Sequence, residues 1–302
     1  MYSQKAILLI RNITPMHVGS GNELGIVDLP IQREGHTDFP KIEASSLKGS
    51  LREAFENKLG EDNLDIHLVF GYDEDADANQ KIKTILNNTE YAGAVSFSDA
   101  RILLFPVKTP KGVFAWITCP YALKRFDEDL KIAGLKKLNL PKELNNIQNN
   151  PETCIVASNN LLINHKMILE EYSFTASVDT NFAQNLYNYL KIDDLNNKLV
   201  IVSDEIFTSF VKLSTEIITR TKINNSTGTV KEGALFNEEY LPAESVLYLL
   251  VFTAPIFNTV KSNFTDDLSV MKFIKDNLPA YIQIGGNATL GKGIVKANFM
   301  EV

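Results

Sequence analysis

Five stretches of the chain gather residue types that can do chemistry, and each also has a plain structural reading. His17 sits in TPMHVGSG, residues 14–21. Its glycines let backbone approach a ligand closely, and the imidazole can donate to a phosphate or act as acid or base. The same residues also make a tight turn with a solvated histidine. Asp28 lies in GIVDLPIQRE, residues 25–34, an apolar loop flanked by Gly25 and Pro30. A carboxylate there can hold a metal or orient a nucleophilic hydroxyl, or simply close an Asx turn on its own backbone.

The third stretch, SSLKGSLR at 45–52, is basic and helical in pattern. Lys48 and Arg52 stand four apart and share a face beside Leu47 and Leu51. Ser45, Ser46 and the free N–H groups of the helix start can receive an anion, Lys48 adds a point charge, and Gly49 thins the helix so that another backbone can pass. A phosphate or RNA-backbone site is one reading; a capped amphipathic helix with a solvated basic face is the other. The fourth, TRTKINNSTGTVKEG at 219–233, has turn chemistry at 224–228 between flanks carrying Arg220 and Lys222. It predicts a projecting β-hairpin able to lie against a nucleic-acid strand, or a bare solvated one. Just beyond it, Glu238 and Tyr240 fall on one face if the chain is extended.

The fifth stretch, GGNATLGKG at 285–293, places Gly285, Gly286, Asn287, Gly291, Lys292 and Gly293 in one loop. It approaches the P-loop pattern, but Gly293 stands where a Ser or Thr must ligate magnesium, and the segment that follows, 294–300, reads as a strand, not a helix. NTP hydrolysis is rejected. What remains is an amide-rich loop with a lysine, suited to gripping a nucleic-acid backbone, or a structural β-turn.

These segments need a frame. Short Ile-, Val-, Leu- and Phe-rich runs predict strands at 5–13, 95–107, 113–119, 199–202, 246–253, 281–284 and 294–300. Helices are predicted at 45–59, 78–86, 122–132, 181–190, 205–213 and 266–278. The first is the clearest, with Leu47, Leu51 and Phe55 at four-residue steps, Ser45 or Ser46 to cap it and Gly60 to end it. Some strands follow one another directly, so the pattern is α+β with antiparallel pairs, such as a ferredoxin-like core with insertions. The Asn-rich span 142–150 reads as an inserted loop or mobile segment, and no linker divides the chain.

Composition sets the outer limits. The 302 residues are 44 % hydrophobic and 22 % charged, which excludes a mainly disordered chain. The formal charge of -7 argues mildly against nucleic acid, yet a basic stripe can coexist with an acidic exterior, and short acidic blocks such as Asp73–Asp75 suit solvated loops. No apolar run reaches the ~20 residues of a membrane helix. Two cysteines, Cys119 and Cys154, give neither a disulfide framework nor a zinc cluster. A soluble, cytoplasmic protein without a membrane partner is expected. No catalytic triad, dinucleotide fingerprint or aromatic RNA-recognition signature is present, so backbone contacts are favoured over base reading.

Taken together and in order, HVGSG at 17–21, GIVDLPIQRE at 25–34, SSLKGSLR at 45–52, the run at 95–120, TRTKINNSTGTVKEGALFNEEYLP at 219–242 and IQIGGNATLGKG at 282–293 closely resemble the RAMP superfamily of CRISPR proteins. More narrowly, they resemble the repeated backbone subunits of type III-B, or Cmr, effector complexes. The resemblance spans nearly the whole chain and is weakest over about 121–218. It implies a single RAMP domain over 1–302, with a ferredoxin-like (RRM-like) palm, an insertion over about 121–218 and a hairpin thumb over about 219–236. It implies several copies stacked head to tail along a CRISPR RNA guide, with other Cmr subunits completing the complex. Guide-paired target RNA is then cut beside each thumb, in a reaction that needs a divalent ion, for which Mg²⁺ is suited. By resemblance Asp28 is required for cutting, either holding the metal ion or accepting the hydroxyl proton, and His17, Glu238 and Tyr240 are auxiliary active-site positions. Ser45, Ser46, Lys48, Gly49 and Arg52 contact the guide, as do the glycine-rich loop and the thumb residues Arg220 and Lys222. The alternative is a non-catalytic RNA-binding filament scaffold in which Asp28 is only a turn residue; a repeat-processing RAMP nuclease is a third reading.

Overall fold

The run AILLI at 6–10 is apolar at every position because both faces of its strand are covered. In the computed structural model, which describes residues 3–21, 27–72, 80–86, 91–224, 226–231, 234–256 and 262–300, this strand is Gln4–Asn12. Ala6, Leu8 and Ile10 enter one core, while Ile7 and Leu9 enter another on the opposite face. The neighbouring strand Val246–Thr253 divides the same way, Leu247, Leu249 and Val251 against Val246, Tyr248 and Leu250. The first core is roofed by the helices Ala44–Leu59, through Leu47, Leu51 and Phe55, and Asp267–Asn277, through Val270, Met271 and Ile274. The second is closed by Pro120–Ile132 and Thr180–Leu190, whose Leu123, Phe126, Phe182 and Leu186 are buried. Each fully buried Leu or Phe contributes about 1.5–3 kcal/mol.

The resulting sheet has twelve strands of mixed direction. Its first part runs Ile294–Phe299, Gln4–Asn12, Val246–Thr253, Ala100–Thr109, every neighbour antiparallel, with Tyr281–Gln283 at the edge. The sheet continues through Val113–Thr118, Leu199–Ile201, Thr153–Val156, Tyr172–Val178 and Lys166–Leu169, where parallel and antiparallel pairs alternate. Much of the weakly readable region is therefore an extension of the same sheet.

Several expectations are corrected. The strand expected over 95–107 is two, Val95–Phe97 and Ala100–Thr109, because the Asp99 side chain turns aside to accept the Ala44 N–H at 3.0 Å. Asp99 thereby takes over the start of helix Ala44–Leu59; Ser45 and Ser46 lie inside the helix and do not cap it. The Asn-rich span contains a helix, Leu144–Asn149, pinned by buried Leu144 and Ile147. Helix Leu64–Phe70, begun by the Asn63 side chain, and the strands at 153–178 were not predicted; the last of them exposes most of its residues and shows no clean alternation. The helix expected at 78–86 is Gln80–Ile85, and the acidic block at 73–77 lies outside the described residues. No helix among the described residues is long and apolar enough to cross a membrane.

The expected hairpin is present and reaches further back than predicted. Glu216–Arg220 pairs antiparallel with Phe236–Tyr240, from Glu216↔Tyr240 to Arg220↔Phe236, and Ile223 bridges Val230 nearer the tip. Asn225, Glu232 and Gly233 lie outside the described residues. Glu238 and Tyr240 thus belong to the base of the hairpin itself.

Candidate functional site

The hairpin strand Phe236–Tyr240 has one edge paired with Glu216–Arg220 and the other free for the loops that leave the first strand. On that second edge the Asn237 N–H donates to Asp28 Oδ2 at 2.7 Å, and Leu29 runs parallel, its N–H on Asn237 O and its O accepting the Glu239 N–H, both at 3.0 Å. His17 follows, with Nδ1 2.7 Å from Glu239 O, and Met16 pairs with Leu241. A carbonyl only accepts, so Nδ1 carries a proton and Nε2 is the free nitrogen. Asp28 and His17 are therefore docked on residues two apart, roughly 7 Å along one strand edge. Asp28 is exposed and its Oδ1 has no partner among the described residues; His17 is buried. Gly19 lies against the imidazole, and a Cβ there would stand 2.8 Å from Nε2.

Beside this edge a buried polar cluster assembles. Tyr240, fully buried, donates its hydroxyl to Glu238 Oε2 at 2.6 Å. Arg220 Nε lies 2.6 Å from the same oxygen and its Nη2 donates to the Tyr240 hydroxyl. Asn287 Nδ2 donates to Glu238 Oε1 at 2.6 Å and to the Tyr240 hydroxyl at 3.0 Å. His17 Nε2 is 3.6 Å from Glu238 Oε1, and Lys292 Nζ lies 4.7 Å from the centre of the Tyr240 ring, on its face. Burial acts to raise the Glu238 carboxyl, but the bonds from Tyr240 and Asn287 and the charges of His17 and Arg220 outweigh it and hold it below its usual range. Burial and the Glu238 bond push the Tyr240 phenol up to about 12, so it is a neutral donor that holds Glu238 and is no base.

The glycine-rich loop is the cluster's other wall. Gly286 N–H donates to His17 O at 2.8 Å and Gly293 N–H to Pro15 O at 3.0 Å, while the amides of Gly291 and Lys292 bond back to Ala288 and Asn287. Gly285 has φ 85° and faces the His17 carbonyl, which any Cβ would strike. The expectation of free amides is thus corrected at these four residues: the loop packs so closely on the His17 segment that they are spent inside the fold.

The basic residues divide sharply. Arg52 is committed, its Nε 2.7 Å from Glu56, its Nη1 on Gly71 O at 3.1 Å and its Nη2 on His67 at 3.2 Å, tying Ala44–Leu59 to Leu64–Phe70. Arg220 is committed to Glu238, and the first helix N–H to Asp99. Lys48 is half-buried with no carboxylate in ion-pair range among the described residues; burial, with Arg52 nearby, pushes its ammonium down. Ser45 and Gly49 are exposed, nothing lies within 4 Å of a Cβ built on Gly49, Ser46 Oγ is 3.4 Å from Gln32 Nε2, and Lys222 is exposed on the hairpin. Sequence reasoning passed over Gln32, Arg33, Asn237, Glu239 and Asp99. All but Asp99 lie inside or beside the loop and hairpin segments already singled out, and the alternation of Glu238 with Glu239 was the available sign of two differently facing carboxylates.

As to a metal, no three His, Cys, Asp or Glu side chains converge among the described residues. Both Glu238 oxygens are taken, which leaves one Asp28 oxygen. These residues alone do not fit a resident ion.

A family profile described as RAMPs, the RAMP superfamily, matches residues 9–296. The chain belongs to the RAMP superfamily. Among RAMP relatives it is 37 % identical to the CRISPR system Cmr endoribonuclease Cmr4 of Pyrococcus furiosus, over 99 % of this chain and 97 % of that protein. The crystal structure of oligomeric Cmr4 from Pyrococcus furiosus superposes with a TM-score of 0.71 at 31 % identity, covering 99 % of each chain. A cryo-EM structure of the type III-B Cmr-beta complex bound to cognate target RNA matches with a TM-score of 0.74, over 99 % of this chain and 98 % of that one; at 22 % identity it speaks for the fold alone.

Proposed function

We propose that the chain is the backbone subunit of a type III-B (Cmr) effector complex. Several copies assemble head to tail along a CRISPR RNA guide, with the other Cmr subunits, and cleave the paired target RNA at regular intervals. The four antiparallel strands in the order fourth, first, third, second, with helices crossing between first and second and between third and fourth, are read as a ferredoxin-like palm. The hairpin is read as the thumb. The observation that carries the catalytic reading is the single strand edge on which an exposed Asp28 and His17 are both docked, at the root of a projecting hairpin.

A nucleotide splayed at the thumb has its 2′-hydroxyl aligned with the adjacent phosphate, and much of the acceleration comes from that positioning. The hydroxyl oxygen attacks phosphorus, its proton passes to Asp28 Oδ1, and the bond to the 5′-oxygen breaks. The products are a 2′,3′-cyclic phosphate and a 5′-hydroxyl that takes its proton from water. The His17 ring, facing the gap left by Gly19, stabilises the developing charge through a proton on Nε2. Glu238 and Tyr240 hold His17 and Arg220 in place from beneath. Guide contact is assigned to Lys48, with Ser45, Ser46, Gly49, Lys222 and Lys292 around the same path. Dependence on Mg²⁺ is proposed for the assembled complex only, where RNA phosphates and water would supply the ligands and Asp28 Oδ1 stays free for the proton.

The test is cleavage of target RNA by the reconstituted complex, wild type against Asp28→Ala, with Mg²⁺ and with EDTA, guide loading being followed in parallel. Regularly spaced products that vanish in Asp28→Ala while loading is unchanged are expected, as is their loss in EDTA. Cleavage unchanged by Asp28→Ala, or none by a properly loaded wild type, makes the chain a scaffold.

A further inference from the structure

Glu239 faces away from the Glu238 cluster and is itself buried. Its carboxylate accepts the Ile31 N–H on Oε2 at 3.0 Å, and the Thr215 hydroxyl at 2.8 Å and Arg33 Nη2 at 2.5 Å on Oε1. Arg33 in turn donates Nη1 to Asp38 O at 2.8 Å and to Val211 O at 3.0 Å, which fastens it to the end of helix Asp204–Leu213. The backbone of the same glutamate holds Leu29 through its N–H and the His17 ring through its carbonyl. One residue thus grips the loop directly after Asp28, at Leu29 by backbone and at Ile31 and Arg33 by side chain, and fixes the imidazole as well. Among the described residues the Asp28 side chain has one hydrogen bond, from Asn237. An exposed carboxylate on a short loop keeps its place only as well as the loop is held.

We propose that the Glu239–Arg33 pair is the positioning device of the cleavage site. It sets Asp28 and His17 at a fixed spacing and couples that spacing to the root of the thumb through Thr215. The proposal rests on the assignment of Asp28 to the chemistry. Neither Glu239 nor Arg33 touches RNA in this scheme, so their loss acts on the rate of the bound complex and not on its formation. A charge that only stabilised the fold would act on assembly first.

The experiment uses the full complex with guide, comparing wild type, Glu239→Gln, Arg33→Lys and Asp28→Ala. Guide loading, target affinity and the single-turnover cleavage rate at saturating target are each measured. Glu239→Gln keeps an acceptor for Ile31 but loses the ion pair, and its rate is expected to fall at least tenfold, with loading and target affinity within about twofold of wild type. Arg33→Lys keeps the charge but not the fork that reaches Asp38 and Val211, and should recover part of that loss. A wild-type rate in Glu239→Gln overturns the proposal, and so does a fall in rate matched by a fall in loading. Should Glu239→Gln fail to assemble, Arg33→Lys decides alone: a rate loss at full loading supports the device, and its absence overturns it. If Asp28→Ala cuts like wild type, the assignment of the site fails instead, and the two failures are told apart.

Discussion

The hairpin root and the outer face of helix Ala44–Leu59 both looked basic and RNA-facing in sequence, and they are built on opposite principles. At the root, Arg220 meets Glu238, Tyr240 and Asn287 bond to the same carboxylate, and the nearby amides of Gly286 and Gly293 are spent on the His17 segment. On the helix face, Lys48 is half-buried without a carboxylate partner among the described residues, and Gly49 has open space where a side chain would go. A charge answered within the fold holds geometry; a charge left unanswered holds a place for something else. The root is therefore read as positioning machinery and the helix face as the guide contact. Substitutions in the two regions should carry opposite signs in stability.

The largest effect is expected at the root. Glu238→Ala removes the buried carboxylate that pairs with a half-buried Arg220 and accepts from Tyr240 and Asn287. Breaking a buried pair from one side costs about 3–5 kcal/mol. Urea unfolding of the isolated subunit should report a loss of that order. A loss below about 1 kcal/mol, the range of exposed pairs, would mean that the root is no more committed than an ordinary surface.

On the helix face the sign reverses. Lys48→Met removes a cation that burial disfavours, so the RNA-free subunit should be no less stable than wild type. Guide affinity should fall roughly ten- to hundredfold, the worth of a charge-assisted contact of about 1.5–3 kcal/mol, with the salt slope shallower by about one. Filter binding across a salt series reads both. Equal loss of stability and affinity would erase the contrast between the regions.

How much of this was legible follows from the range of the interactions. Helix Ala44–Leu59 and the apolar strand Gln4–Asn12 could be read directly, because Leu47, Leu51 and Phe55 repeat at a local period and AILLI needs no partner to be seen as buried. The cap of that helix could not, since Asp99 arrives from a distant strand break. Arg52 and Arg220 were visible as charges, but their distant answering groups at His67 and Glu238 were not, and sequence shows charge before it shows whether charge is satisfied. The Asn-rich span misled because composition spoke louder than Leu144 and Ile147, two apolar residues at helical spacing. For the site, His17, Asp28, Glu238 and Tyr240 were all named from their motifs. The strand edge that gathers His17 and Asp28, and the part played by Glu239 on it, appear only in three dimensions.

Alkaline titration sharpens the comparison without touching RNA. Tyr240 in the fold is pushed up to about 12 from an ordinary 10.0, so its contribution to stability is complete below the unfolded value and is lost as pH rises toward the folded one. Lys48 is shifted the other way, below 10.5, so the unfolded chain holds that proton more tightly and stability from this group rises with pH until both forms are neutral. Between about pH 9 and pH 11, Tyr240→Phe should gain on wild type while Lys48→Met loses ground to it. Urea midpoints of the three proteins at the two pH values test this. Parallel movement of the two variants would show that one of the groups is not in the environment described.

The smallest expected effect is also the most discriminating for the helix face. Gly49 stands within Ala44–Leu59, a place where glycine costs about 1 kcal/mol relative to alanine, and nothing among the described residues outside its own helix backbone lies within 4 Å of a built Cβ. Gly49→Ala should therefore stabilise the RNA-free subunit by about 1 kcal/mol. If a nucleic-acid backbone lies against the helix as proposed, the added methyl stands in its path and guide affinity falls, so the variant is more stable and binds less well. If it is more stable and binds equally well, the space over Gly49 is empty in the complex too, and the guide path must be moved off this face toward Lys222 and Lys292.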